Sequence, residues 1–296
     1  MASRAAAQSL LSSLSVDHPE WRPLLVLIGE TLREIDRAPW SACVPVLEHH
    51  GGDRRPLLDG AVIRVARKRI ERWVRRILET AAEAGIEVNR LVTATAAGRL
   101  DSRHFFELSV SQHVDRLDEL ARVHEDERGV VRALAPLIAM PMLRACHTAW
   151  AERVPTGWAH GYCPICGGWP ALAESRGLEG NRYLRCGACG SGWRIQLLRC
   201  PFCGEDDHDK LGSLVSARSL EQQRVDVCDG CRRYVKTITT LTPIRPHDVV
   251  QQDLATLALD VAALERDYVR PTPTHRVAVR VVTETSRVRD LLGLRS

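Results

Sequence analysis

Eight of the ten cysteines lie between Cys163 and Cys231, as four C-x-x-C pairs: Cys163/Cys166, Cys186/Cys189, Cys200/Cys203 and Cys228/Cys231. Two intervening residues put both sulfurs on one side of a tight turn, within reach of one ion. In Cys163-Pro164-Ile165-Cys166-Gly167 and Cys200-Pro201-Phe202-Cys203-Gly204 the proline presets the turn. The glycine after each second cysteine permits positive φ and frees a backbone N–H for sulfur. Two such turns face to face make a tetrahedral cage of four thiolates. Nineteen residues separate Cys166 from Cys186, within the spacing of a four-cysteine ribbon, and twenty-four separate Cys203 from Cys228. The pattern predicts two mononuclear tetrathiolate sites, pairing the first knuckle with the second and the third with the fourth.

Four disulfides are the competing interpretation. A C-x-x-C disulfide closes a very small loop and gains little chain entropy. Residues 1–30 also lack the basic start and continuous apolar core of a secretory signal. No pair follows a strand and opens a helix in a βαβ setting, which argues against a thioredoxin-like redox motif. Reduced cysteines without an export signal predict a cytoplasmic protein. Thiol reactivity would arise only at a pair whose metal is labile.

The elements that must position these cysteines are short strands and turns, from a composition break at Thr156-Gly157 to about Pro246. Strands are predicted at 182–185 and 193–198 in the first module, and at 210–216, 223–227 and 234–240 in the second. Modules of roughly 40 residues are too small to hold a core without a staple. A structural tetrathiolate ion supplies roughly 10–16 kcal/mol of apparent folding free energy. Four thiolates around a divalent ion leave a net negative charge. Arg182, Arg185, Arg194 and Arg199 near the first site, and Arg232, Arg233 and Lys236 near the second, can offset it.

Residues 1–157 read as helices. Leu10, Leu11 and Leu14 begin an apolar stripe, and Asp17-His18-Pro19-Glu20 opens a helix of about residues 20–37 with Leu24, Leu27, Ile28, Thr31, Leu32 and Ile35 at helical steps. Pro39 stops it. After an irregular connector over 39–59, a helix is predicted from Gly60 through Ala84. Its outer face carries Arg64, Arg67, Lys68, Arg69, Arg72, Arg75 and Arg76, either docking an acidic partner or lying as a solvated surface. The solvated surface is the preferred interpretation. Further helices are expected at 101–125 and 129–153, the latter interrupted at Pro136 and Pro141. Cys43 and Cys146 read as buried thiols, and His49, His50, His104, His113 and His147 as structural. After Pro246 a helix over 249–268 buries Leu254, Leu257, Ala258, Val261 and Leu264. A strand at 277–282 and a short terminal helix follow.

Composition narrows the function classes. With 45% hydrophobic and 26% charged residues in a chain of 296, the protein folds into two or three domains and is not disordered. No apolar run approaches the length of a membrane span, so none is predicted. A net charge of +4, from 41 basic and 37 acidic residues, is too balanced to imply nucleic acid or an anionic membrane. Phosphate loops, dinucleotide fingerprints, G-x-S-x-G and H-E-x-x-H are absent from the sequence.

The run from Cys163 to Pro170 resembles the first cluster of the formate dehydrogenase accessory (formation) protein family, FdhE. So do Arg182–Cys189 ending at Trp193, Cys200–Gly204, Cys228–Lys236 and the segment Asp253-Leu-Ala-Thr-Leu-Ala-Leu-Asp260. The likeness covers about residues 160–270, and the N-terminal half agrees in character only. Where the family tends to have an acidic pair before the Leu-Ala-Thr helix, this chain has Gln252-Asp253; where the family has Glu before the fourth pair, it has Asp226.

The resemblance implies an α+β multidomain protein. It has a helical N-terminal domain (1–157), two small rubredoxin-like or zinc-ribbon-like modules (158–199 and 200–246), and a C-terminal helix and tail (247–296) packing on the modules. It further implies a cytoplasmic, non-enzymatic maturation factor holding two metal ions through Cys163, Cys166, Cys186, Cys189, Cys200, Cys203, Cys228 and Cys231. All-thiolate sites suit iron and zinc alike, and the rubredoxin-like knuckles favour iron. The implied partner is the catalytic, molybdenum- or tungsten-containing subunit of respiratory formate dehydrogenase before export. Neither nucleic acid nor membrane insertion is expected, and oligomeric state is left open, a homodimer included. A rubredoxin-like electron carrier and a nucleic-acid-binding zinc ribbon are the alternatives.

Overall fold

The computed structural model describes residues 2–37, 39–47, 54–124, 128–215, 222–272 and 277–284. His49, His50 and the short terminal helix expected from the sequence lie outside the described residues. The fold is mixed α and β. Helices fill the N-terminal half and a sheet carries the cysteines.

Helix α1 (Ala2–Asp17) leads through a 3₁₀ turn at Pro19–Trp21 into α2 (Arg22–Arg37), which buries Leu25, Leu27, Ile28 and Thr31. The helix expected from Gly60 is instead a strand, β1 (Val62–Ala66), followed by α3 (Arg67–Glu83). Val62-Ile63-Arg64-Val65 alternates and is β-branched, and a distant partner strand completes its ladder; tertiary pairing overrides the local helical period here. The basic face of α3 is a solvated surface, as preferred from the sequence: Arg67, Lys68, Arg72, Arg75 and Arg76 are exposed and Arg69 is half-buried. Arg67 pairs with Glu71, Arg76 with Glu30, and Arg69 donates to Pro39 O while lying over the Trp40 ring.

After α4 (Asn89–Ala96), the helix expected over 101–125 is two, α5 (Ser102–Val110) and α6 (Val114–Val123). They part where Gln112 takes a positive φ of 55°. Asp101 caps α5 by accepting from His104 N at 3.0 Å. Helix α7 (Arg128–Trp150) runs on through Pro136 and Pro141, contrary to the expected interruption. The Trp73 indole donates to Ile138 O at 2.9 Å, satisfying a carbonyl beside the break that Pro141 makes in the ladder. By length and composition α7 could cross a bilayer, with mean hydropathy 1.4 over its most apolar window, which corrects the expectation from the sequence. Two thirds of that window, 67%, is buried inside the protein, as in a core helix.

The C-terminal half is built on one six-stranded sheet. Its strands are β2 (Pro170–Arg176), β3 (Asn181–Cys186), β4 (Gly192–Arg194), β5 (Leu211–Leu214), β6 (Gln223–Cys228) and β7 (Arg233–Thr240), in the order β4-β3-β2-β7-β6-β5. Each half is antiparallel, and the join is parallel: Leu172 lies opposite Lys236 and Arg176 opposite Thr240. The two cysteine modules therefore share a sheet. Strand β2 was not anticipated, because Pro170-Ala-Leu-Ala-Glu lacks β-branched residues.

The C-terminal helix is also two pieces, α8 (Val249–Ala255) and α9 (Leu257–Leu264). Thr256 interrupts the helix and bonds its hydroxyl to Gln252 O at 2.7 Å. That break turns Leu254, Leu259 and Ala263 inward and leaves Val261 and Leu264 exposed, correcting the expected stripe. Within the tail, Thr272 O accepts from the Trp169 indole beside the first knuckle, while β8 (Arg280–Glu284) pairs in parallel with β1, Val62 opposite Arg280.

Buried apolar residues form one main cluster that runs from the N-terminal helices through Cys163, Cys166, Cys186 and Cys189. A smaller cluster of Val225, Val227, Tyr234, Leu259, Ala263 and Tyr268 lies under the second module. The two cysteine groups thus sit in different surroundings.

Candidate metal centres

The cysteines come together as their spacing predicts, in two groups of four: Cys163, Cys166, Cys186 and Cys189; and Cys200, Cys203, Cys228 and Cys231. Within each group the sulfurs lie within 4.8 Å of one another. The pairs Cys163–Cys189 and Cys166–Cys186 are each 3.5 Å apart, and Cys200–Cys231 and Cys203–Cys228 each 3.7 Å. A disulfide would need about 2.05 Å. A tetrahedron with metal–sulfur bonds of about 2.3 Å has edges of about 3.8 Å, so the donor set fits one ion per group.

Each knuckle is built alike. The carbonyl of its first cysteine accepts from the backbone N–H four residues on: Gly167 at 2.9 Å, Gly190 at 3.0 Å, Gly204 at 3.0 Å and Arg232 at 2.8 Å. All four acceptor-closing residues have positive φ. Three are glycines, for which that conformation carries no side-chain penalty. The fourth, Arg232, is held there by its contacts: it donates to Asp229 at 2.7 Å and to Arg266 O, and stacks 3.9 Å from the Tyr268 ring. Backbone N–H groups of Ile165, Cys189 and Phe202 point at sulfurs, at 3.4, 3.5 and 3.5 Å.

The first group is wholly buried, whereas Cys203 is exposed and Cys231 half-buried. The N-terminal half encloses the first group. Three successive carbonyls of its first knuckle accept from outside the module: Pro164 from Leu57 N at 2.8 Å, Ile165 from Leu58 N at 2.9 Å, and Cys166 from the Gln112 side chain at 2.7 Å. The two groups also touch. A Cβ on Gly161, two residues before Cys163, would collide with the backbone of Pro201 in the third knuckle. Tyr162, Trp169 and Phe202 bridge the same gap edge to face.

The cations expected beside the sulfurs divide. Arg185 is buried near Cys186 and Cys189 but is also engaged by Glu174 at 3.3 Å. Arg182 faces Cys200 of the second group and pairs with Asp226 at 3.2 Å, which also accepts from Thr237 at 2.7 Å. Arg194, on the rim, bonds Asn181 instead. Lys236 is fully buried and turned away from the thiols, 2.7 Å from both Asp253 and Asp260. Arg270 closes that network at 2.7 Å from the same two acids, and Tyr234 donates to Asp260 at 2.7 Å.

Sequence reading missed two residues beside the first group, Gln112 and Arg144. Arg144, on α7, is buried close to Cys166, Cys186 and Cys189, and burial pulls its pKa below the ordinary value. One turn on, burial, with Arg144 and Arg185 nearby, pushes His147 down to about 4. Cys146 is a buried thiol as expected, its pKa raised by burial and by Cys189. The only sequence signal for Arg144 was a lone charge within the apolar run of α7.

Residues 184–275 match the family model described as FdhE, C-terminal domain. A protein FdhE homolog of Aquifex aeolicus is 29% identical over 117 residues, covering 38% of this chain and 40% of that protein. A homolog from Pseudomonas aeruginosa is 34% identical over 117 residues, 38% of each chain. Protein FdhE of Escherichia coli O127:H6 is 28% identical over 120 residues, 40% of this chain and 38% of its own. The matches thus span about two fifths of the length of these relatives. A crystal structure described as the FdhE protein from Pseudomonas aeruginosa aligns over 93% of this chain and 95% of its own, at 21% identity and a TM-score of 0.49.

Proposed function

We propose, from the match of residues 184–275 to the FdhE C-terminal domain, that this chain is a non-catalytic accessory protein of formate dehydrogenase maturation. In this reading it holds two metal ions through its eight knuckle cysteines. It binds the catalytic molybdenum- or tungsten-containing subunit in the cytoplasm, before export. The observation that carries the reading is the pair of four-cysteine cages on a shared sheet, six of whose eight cysteines lie within residues 184–275, the segment that matches the FdhE C-terminal domain.

Once bound, the ions would staple two modules too small to hold a core, and iron would add a one-electron couple. The chain's own residues do the rest. Backbone amides and positive-φ knuckles orient the sulfurs, and the N-terminal half excludes water from the first cage. The acidic network around Lys236 seats the C-terminal helices behind the second.

The test is a deletion strain combined with capture of tagged protein from anaerobically grown cells. Formate dehydrogenase activity is expected to vanish while its catalytic polypeptide is still made, and that polypeptide is expected in the captured material with two ions per accessory chain. Normal activity in the deletion strain would refute the reading. A redox role is favoured by one observation, the exposure of Cys203 at the second cage. Metal analysis with redox titration separates it: a redox-silent zinc protein is no electron carrier.

A further inference from the structure

We propose that Arg144 is the counter-cation of the loaded first centre, so that bound metal fastens helix α7 to the first module. The proposal rests on the reading that Cys163, Cys166, Cys186 and Cys189 hold an ion.

Arg144 is 7% exposed, and of its three nitrogens only Nη1 has a partner, the carbonyl oxygen of Pro246. Nε and Nη2 are buried without a hydrogen bond. Among the described residues it forms no ion pair. The acid carried by the neighbouring strand, Glu174, is already engaged by Arg176 and Arg185. The guanidinium reaches this place only because position 190, next to Cys189, is glycine; a Cβ there would collide with Nη1. Nη1 thus lies against the second knuckle at Gly190, with Cys189, Cys186 and Cys166 near enough to attract the charge and Arg185 to repel it.

Guanidinium stays protonated in proteins, and a buried charge without an opposite charge is strongly unfavourable. Four thiolates around a divalent ion carry two net negative charges, and around a trivalent ion one. The loaded cage therefore supplies a fixed anion for Arg144 to face. Because α7 is the central helix of the N-terminal half, packed against α2, α5 and α6, that half becomes sensitive to whether the first site is filled.

The test uses the full chain loaded anaerobically with zinc, the variants Arg144→Met and Arg144→Lys, and two readouts. In competition with a chromogenic chelator, Arg144→Met is expected to weaken one of the two ions by about 10- to 100-fold, the usual effect of losing an outer-sphere partner, and to leave the other unchanged. Arg144→Lys keeps the charge but not the planar fork, and is expected to recover part of that loss. By hydrogen exchange, the end of α7 in Arg144→Met should open faster than the parent when loaded, and no faster after metal is stripped. Unchanged affinity at both sites would overturn the proposal. Equal loosening of α7 in loaded and stripped protein would also do so, because it marks an ordinary packing role. A parent protein that takes up no zinc would instead sink the metal reading itself.

Discussion

The Gln112 side-chain amide donates to the backbone carbonyl of Cys166 across 2.7 Å. Gln112 stands in the break between α5 and α6, at positive φ, and Cys166 is the second cysteine of the first knuckle. The irregularity of a helical pair is thereby coupled to the shape of a candidate metal cage.

Replacing Gln112 with alanine leaves that carbonyl buried without its donor. The expected cost is about 1–3 kcal/mol, the range for an orphaned buried polar group. Chemical denaturation of the loaded protein should show the loss, with metal stoichiometry still at two. A stoichiometry of one would mean that the bond is needed for the cage to form at all.

The two cages should empty at different rates. All four sulfurs of the first are buried, while the second exposes Cys203. Treating the loaded protein with a chelator should release one ion quickly and the other slowly. Cys203→Ser should abolish the fast phase, whereas Cys163→Ser should unfold its module. A single release rate for both ions would contradict the difference in burial.

Lys236 tests the anchor of the C-terminal helices. Lys236→Met leaves Asp253 and Asp260 to share Arg270 as their one cation in this network, and loss of one member of a buried ion pair typically costs about 3–5 kcal/mol. Adding Asp260→Asn should recover part of it, because a buried charge is removed with its lost partner. A double-mutant cycle by thermal melting measures the coupling, and additivity would argue against a shared network.

Gly161→Ala probes the contact between the modules. The added methyl would meet the backbone of Pro201, which has no flexible side-chain end to give way. Overpacking of this kind costs about 1–3 kcal/mol or more. The third knuckle should shift, and release of metal from the second cage should quicken while the first holds its ion. Unaltered release from both would show the contact to be incidental.

How much was legible in the sequence differs by element. The knuckles could be read because a C-x-x-C turn is a local object: its spacing, proline and glycine dictate where two sulfurs point. Strands β3, β6 and β7 carry their own β-branched or aromatic residues and were placed near their observed limits. Strand β1 was misread because Ile63, Ala66 and Ile70 also fit a helical period, and only pairing with β8 decides against it. The prolines of α7 pointed to an interruption, yet the helix continues through both, and near Pro141 the Trp73 indole bonds the Ile138 carbonyl. Asp226, a departure from the family pattern, partners Arg182, and Asp253, the acid kept beside the departing Gln252, partners Lys236.

By itself, the sequence determined that eight thiols form two sets of four and which knuckle joins which, because turn chemistry and loop length act over a few residues. Tertiary structure alone decided that the two modules share a parallel join between β2 and β7, that one set is enclosed and the other open, and that Arg144 stands beside the enclosed one. The physical reason is range. Hydrogen-bonded turns are encoded where they occur, but burial and the partnering of a charge depend on residues brought from elsewhere in the chain.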